Sequence, residues 1–197
     1  MISHLGPAVA TAFIAAVRHN RVNAALIERL PELGLPDCWL VAGCLCQTVW
    51  NIKAGRPTME HIRDYDVFYF DAADTSYEAE DRAIKRLSAA TRDLAADIEL
   101  RNQARVHLWF RQKFGHEHPP LKSSCDGIDR FLVECTCVGI RCTAGQPPVA
   151  YARYGLDDLH AGILKSNPLN GNGGRFAAKA ASYQARWPWL RIETATL

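Results

Sequence analysis

The chain has 197 residues, close to half of them apolar and about a fifth charged, the proportions of a globular protein with one sizeable core. A net charge of +2 gives no strong nucleic-acid footprint, which requires a marked local excess of Lys and Arg. No apolar run reaches the roughly 18 residues that a membrane-spanning helix needs, and the seven cysteines, odd in number and set beside strand-like segments, fit reduced core thiols of a cytoplasmic protein better than a disulfide framework.

Positions 8–30, with apolar residues at Val9, Phe13, Val17, Leu26 and Leu30, predict one broken helix or two short ones. The stretch has no basic n-region, which separates it from a signal peptide. Residues 37–42 read as a short buried strand closed by Gly43, and a helix from 44 runs until Gly55-Arg-Pro57 ends it. A loop carrying His61 and Arg63 leads into Asp64-Tyr-Asp-Val-Phe-Tyr-Phe-Asp71, whose β-branched and aromatic centre predicts a strand buried on both faces. Thr75 and Glu78 have capping-box spacing ahead of a helix marked by Ile84, Leu87 and Leu94. Residues 96–101 predict a strand, and 105–114 fit a helix better than a strand.

The loop at 115–124, with Pro119-Pro120, divides a core of 1–115 from an extension of 116–197 packed on it as one compact unit. In the extension the sequence predicts a helix over 125–134, a strand over 138–142, an extended piece at 149–151, a mobile Gly- and Asn-rich loop at 167–174, and an Ala-rich helix over 176–186. The fold class that follows is α/β: a small mixed β-sheet flanked by helices, with a C-terminal α+β extension.

Three segments supply what phosphoryl or nucleotidyl transfer needs. A strand-to-helix turn at Gly43 and Cys44 lets a phosphate approach backbone N–H groups at the positive end of a helix. Asp64 and Asp66 lie one residue apart on a strand, so they share a face with Cα atoms about 7 Å apart. Two such carboxylates repel, and a hard divalent cation that also holds phosphates relieves the repulsion. On the next strand Asp97, Glu99 and Arg101 share a face, and Glu99, flanked by Ile98 and Leu100, reads as a carboxylate projecting from a buried strand. Arg101 and Arg105 either neutralise a triphosphate or pair with strand-end carboxylates.

The glycine-small turn, the Asp-x-Asp strand and a single acidic residue on the following strand resemble the DNA polymerase β-type nucleotidyltransferase superfamily. More narrowly, Val-Ala-Gly-Cys-Leu-Cys-Gln-Thr-Val-Trp-Asn51, the 64–71 strand and Arg-Asn-Gln-Ala-Arg-Val-His-Leu-Trp109 are similar to a bacterial nucleotidyltransferase-like family. The resemblance implies a polymerase β-like core. It places Gly43 and Cys44 at the phosphate turn, and Asp64, Asp66 and Glu99 at the catalytic carboxylates that hold Mg²⁺ or Mn²⁺. The implied partners are a nucleoside triphosphate and a hydroxyl acceptor, whether small molecule, RNA or protein. Cys44 stands where a serine is usual, and the span from Cys44 to Asp64 is longer than usual.

Other readings compete. A module that keeps this fold and binds a nucleotide or partner without turnover is the main rival. Asn102, Gln103 and His107 read a base or brace the turn; Gln47 and Asn51 face the site or support Trp50. Cys44-Leu-Cys46, Cys135-Thr-Cys137, Cys142, His116 and His118 raise zinc, but structural zinc pairs are spaced by two to four residues rather than one.

Overall fold

Asn20 divides the first helical stretch in two. Helix α1 spans Pro7–Val17, and the Asn20 side chain caps α2, Arg21–Arg29, by accepting from the N–H groups of Val22 and Asn23, donors that a helix start otherwise leaves unpaired. A 3-10 turn at Leu30–Leu33 precedes β1, Trp39–Val41, and α3, Gly43–Lys53. There follow β2 (Tyr65–Tyr69), α4 (Tyr77–Thr91), β3 (Ile98–Asn102) and α5 (Val106–Phe114). The remainder holds α6 (Ser124–Ile128), β4 (Val138–Arg141), β5 (Val149–Ala152), α7 (Asp157–Ala161), β6 (Ile163–Lys165), α8 (Gly173–Arg186) and β7 (Arg191–Glu193). The computed structural model describes residues 5–115, 119–170 and 173–193.

Five strands form one sheet in the order β3-β2-β1-β4-β5. Strands β2 and β3 run parallel and the other neighbours antiparallel, so the expected small mixed sheet flanked by helices is the fold. A separate parallel pair joins β6 to β7. Because β4 and β5 lie beyond residue 115 and β4 pairs directly with β1, both sides of the expected boundary share one sheet. They also share one core, in which Leu40, Val67 and Leu100 meet Val138, Ile140 and Trp187. The opposite sheet face carries a smaller cluster of Trp39, Val41, Ile128 and Tyr151, with Phe68 and Phe131 stacked at 5.5 Å beside it.

Several local expectations are corrected. Strand β2 is not buried on both faces: Tyr65, Val67 and Tyr69 are buried, whereas Asp66 and Phe68 are only half-buried. The cap of α4 is Ser76, which accepts from the Ala79 N–H, one residue later than the Thr75 capping box. The expected helix over 125–134 stops at Ile128. Beyond it, Asn167 Nδ2 donates to the carbonyls of Asp129 and Phe131 at 2.7 Å each, and Asn170 Nδ2 donates to that of Arg130. These carbonyls are held by side chains rather than by a continuing helix. The same bonds revise the expectation of a mobile loop over 167–170, because Asn167 is buried and fully engaged. Residues 171–172 of that loop lie outside the described residues, as do His116 and His118 of the zinc reading.

Candidate active site

The alternation of β2 sorts its side chains. Tyr65, Val67 and Tyr69 go into the core, while Asp64, just before the strand, joins Asp66 and Phe68 in lining a cleft of about 490 Å³. Gly43 and Gln47 of α3 form one margin, and Arg101 with Gln103 form another. The third wall comes from the C-terminal half: Phe131, and Arg175, Lys179 and Tyr183 of α8.

Burial, with Asp64 and Glu99 close by, pushes the Asp66 carboxyl up to about 7, against the opposing pull of Lys179 and Arg101. Glu99 is in register beside Asp66 across the parallel β2–β3 pair. It is exposed rather than enclosed in a buried strand, and its Oε2 accepts from Arg101 Nη2 at 3.2 Å. The pleat that buries Leu100 turns Glu99 outward. Among the described residues no group of three His, Cys, Asp or Glu side chains converges as a metal would require. The donor set nevertheless has the chemistry of a hard-cation site. Two carboxylates face one cleft, a third is in register beside them, and burial, with the repulsion of the other two, raises Asp66.

The turn at Gly43 and Cys44, where a phosphate is expected, has an unusual backbone. Ala42, which precedes α3, has φ 54° and ψ −111°, a region L-residues avoid. Its carbonyl accepts from both Leu45 N and Cys46 N at 3.1 Å. Those two N–H groups, expected to meet a phosphate, are therefore engaged. The N–H groups of Gly43 and Cys44 find no backbone acceptor among the described residues. The Cys44 side chain also departs from expectation. Its thiol is fully buried, donates to the Val41 carbonyl at 3.6 Å, and is pushed up by burial and by Asp66 and Asp64. A protonated thiol turned into the core cannot hold a phosphate or act as nucleophile.

Arg101 lines the cleft, held by Glu99 and by the Leu100 carbonyl. Arg105 is placed elsewhere. Its guanidinium pairs with the buried Glu80 carboxylate, donates from Nε to the Thr75 carbonyl at 2.8 Å and lies over the Tyr77 ring. The 3-10 turn Gln103–Arg105 rotates it away from the strand face that Arg101 occupies. Asn102 braces this junction through Asp71 and Ala104, whereas Gln103 lines the cleft. The His107 Nδ1 is buried with no partner among the described residues and lies outside the cleft lining.

Asn51 is structural: Nδ2 donates to the carbonyls of Thr58 and Glu60, and Oδ1 accepts from Trp187 Nε1 at 2.7 Å. These bonds fasten the long segment between Cys44 and Asp64 to α3. Arg56, which donates to the Arg186 carbonyl at 2.7 Å, ties the segment to the end of α8. The cysteines of the zinc reading that are described are free and buried. Burial pushes the Cys135 thiol up to about 12 and the Cys46 thiol well above its ordinary value, which disfavours the thiolate a metal needs.

Sequence reasoning missed the third wall. Arg175, Lys179 and Tyr183 repeat every four residues, the spacing of one helical face, and that stripe was the available signal. What it faces depends on how α8 packs some eighty residues beyond β3, which no local pattern specifies.

The nucleotidyltransferase family profile matches residues 28–192. No curated protein matches the sequence. Among solved structures, one described as revealing a CCA-adding enzyme head domain by NMR superposes with a TM-score of 0.73 at 25% identity, covering 94% of this chain and 96% of that one. A CCA-adding enzyme in complex with CTP gives a TM-score of 0.55 at 13% identity, covering 93% of this chain and 43% of that one. The Thermotoga maritima CCA-adding enzyme complexed with tRNA gives 0.54 at 13%, covering 94% and 42%. The chain thus spans less than half the length of these two enzymes, whose likeness is one of fold. The match across most of its length, together with the head-domain architecture, shows that the chain belongs to the nucleotidyltransferase family.

Proposed function

We propose that the protein transfers a nucleoside monophosphate from a nucleoside triphosphate to a hydroxyl acceptor in a metal-dependent reaction. The observation that carries this reading is that Asp64 and Asp66 share the cleft face of β2 with the Gly43 turn at the margin of the same cleft. Asp64, Asp66 and Glu99 would hold Mg²⁺ or Mn²⁺, which supplies charge neutralisation at the triphosphate. The free N–H groups of Gly43 and Cys44 receive phosphate oxygens at the start of α3. Lys179 and Arg101, both lining the cleft, offset the charge that moves onto the leaving group. As the acceptor oxygen bonds to the α-phosphorus, its proton passes to a carboxylate oxygen of Glu99, the bridge to the β-phosphorus breaks, and pyrophosphate leaves. Phe68, Phe131 and Leu169 give the cleft an apolar end, suited to a nucleobase or to the body of the acceptor contributed against the C-terminal half.

The test is transfer of label from each of the four α-labelled nucleoside triphosphates into a cell extract that includes tRNA, with and without Mg²⁺, using wild type and Asp66→Asn. Label entering one fraction only with Mg²⁺ and only with wild type supports the reading, and the fraction (RNA, protein or small molecule) identifies the acceptor class. Nucleotide bound with no label transferred would replace it with a binding module. Two placements favour that second reading: Glu99 turned to Arg101, and the Cys44 thiol turned into the core.

A further inference from the structure

We propose that Gln47 is a phosphate-binding donor of the cleft, aimed by Arg186, which takes its amide oxygen and leaves Nε2 over the Gly43 turn. This rests on the nucleotide reading above and adds a residue to it.

Gln47 stands one helical turn beyond Gly43, is 3% exposed and lines the cleft. Its Oε1 accepts from Arg186 Nη1 at 3.3 Å. A guanidinium only donates, so it fixes which end of the amide faces it. Arg186 is itself held: it lies over the rings of Tyr183 and Trp187 at 5.2 and 4.8 Å and donates to the His61 carbonyl at 3.1 Å. The Gln47 Nε2 has no acceptor among the described residues. A Cβ built on Gly43 would stand 2.9 Å from it, so the amide covers the turn from which the Gly43 and Cys44 N–H groups project. A side chain on Gly43 would thus displace the Gln47 amide as well as an incoming ligand.

The Gln47 Nε2 is open enough for water to reach it from the cleft, until a ligand acceptor fills the gap. The chemistry here selects what does. The Gly43 turn, the start of an eleven-residue helix and an amide donor stand together at one margin of the cleft, a set that suits an anionic oxygen. The first side chain of the helix, Cys44, is turned to the Val41 carbonyl. The side-chain donor of this pocket therefore comes from one turn later.

Wild type, Gln47→Glu, Gln47→Leu, Arg186→Met and the Gln47→Leu/Arg186→Met double variant are titrated calorimetrically with tripolyphosphate and with ATP, CTP, GTP and UTP in the presence of Mg²⁺, and their melting temperatures recorded. In Gln47→Glu a carboxylate still accepts from Arg186, so the melting temperature holds. Affinity for tripolyphosphate and nucleotide nevertheless falls by more than about tenfold, because an acceptor replaces the donor. Gln47→Leu loses about tenfold. Arg186→Met weakens binding in the wild-type background and adds little on top of Gln47→Leu. Wild-type affinity in Gln47→Glu, or full additivity of the other two changes, overturns the proposal while leaving the nucleotide site standing. Should Gln47→Glu fail to fold, Gln47→Leu and the double variant decide. A wild type that binds neither tripolyphosphate nor any nucleotide overturns the nucleotide reading itself, and this one with it.

Discussion

Asp66 ties the site to the stability of the apo protein. Its carboxyl lies near 7 in the native state against 3.8 ordinarily, so between those values the folded chain binds a proton that the unfolded chain releases. Stability from this group is therefore greatest at low pH and is lost as pH rises through about 7. The whole effect is at most about 4 kcal/mol, reduced by the solvent that still reaches a half-buried group. The melting temperature of metal-free wild type should fall between roughly pH 5 and roughly pH 8, and Asp66→Asn should flatten that fall. Mg²⁺ with nucleotide should raise the wild-type melting temperature most at the upper end of the range, where the carboxylate is charged. A flat wild-type profile in thermal scans would remove the raised carboxyl, buried and crowded by Asp64 and Glu99, on which the metal reading leans. Two cations separate in the opposite sense. Arg105→Met leaves the buried Glu80 uncompensated and should cost about 3 kcal/mol, with nucleotide affinity in the folded protein unchanged. Lys179→Met should weaken nucleotide binding with little change in melting temperature. Denaturant titration and calorimetry on the same two variants decide whether both assignments stand. From sequence the two arginines were indistinguishable, because the 3-10 turn that swings Arg105 to Glu80 leaves no periodic mark.

At the scale of elements, the turn between β1 and α3 is the costly piece. Ala42 holds a backbone conformation that disfavours any Cβ, at a price of about 1–3 kcal/mol, and its carbonyl caps the first turn of α3. Ala42→Gly should relieve that strain, less about 0.5–1 kcal/mol for the extra freedom of glycine in the unfolded chain. The net expectation is a protein more stable by about 1 kcal/mol, read as a higher midpoint in urea with an unchanged slope; a lower midpoint would show that Ala42 is not strained. The strands and long helices were legible because apolar periodicity records burial directly: 37–42, 64–71 and 105–114 each became an element with only its ends moved. The short pieces were not. Helix α7 and strands β6 and β7 are too short to carry a period. The truncation of α6 came from Asn167 and Asn170, some forty residues away. The carboxylate pair was legible because alternation on a strand is local. The direction of Glu99 was not, since its neighbours Ile98 and Leu100 suggested an enclosure that the sheet edge does not provide.

For the whole molecule, the expected boundary near 115 falls inside a shared sheet. Strand β1 is flanked by β2 on one side and β4 on the other, and the core joins residues from both halves. Residues 1–115 alone should therefore show no cooperative thermal transition, whereas the full chain should unfold in one transition by circular dichroism and tryptophan fluorescence together. A cooperative melt of the fragment would show that residues 1–115 fold as a separable unit.

Helix α8 is fastened along its length, because Phe176, Ala180 and Tyr183 on one face are buried in the shared core. Trp187 donates to Asn51, and the Arg186 carbonyl accepts from Arg56, while Arg175 and Lys179 stand exposed along the cleft. Mechanically the two faces are coupled: the packed face sets where the cations stand, and the C-terminal fastening lies at Trp187. The arm from there to Arg175 is roughly 18 Å, so a tilt of about 5° carries the distal cation by roughly 1.5 Å, the difference between a direct phosphate contact and a lost one. Asn51, Phe176 and Ala180, none of which lines the cleft, thereby set together the angle of the wall that does.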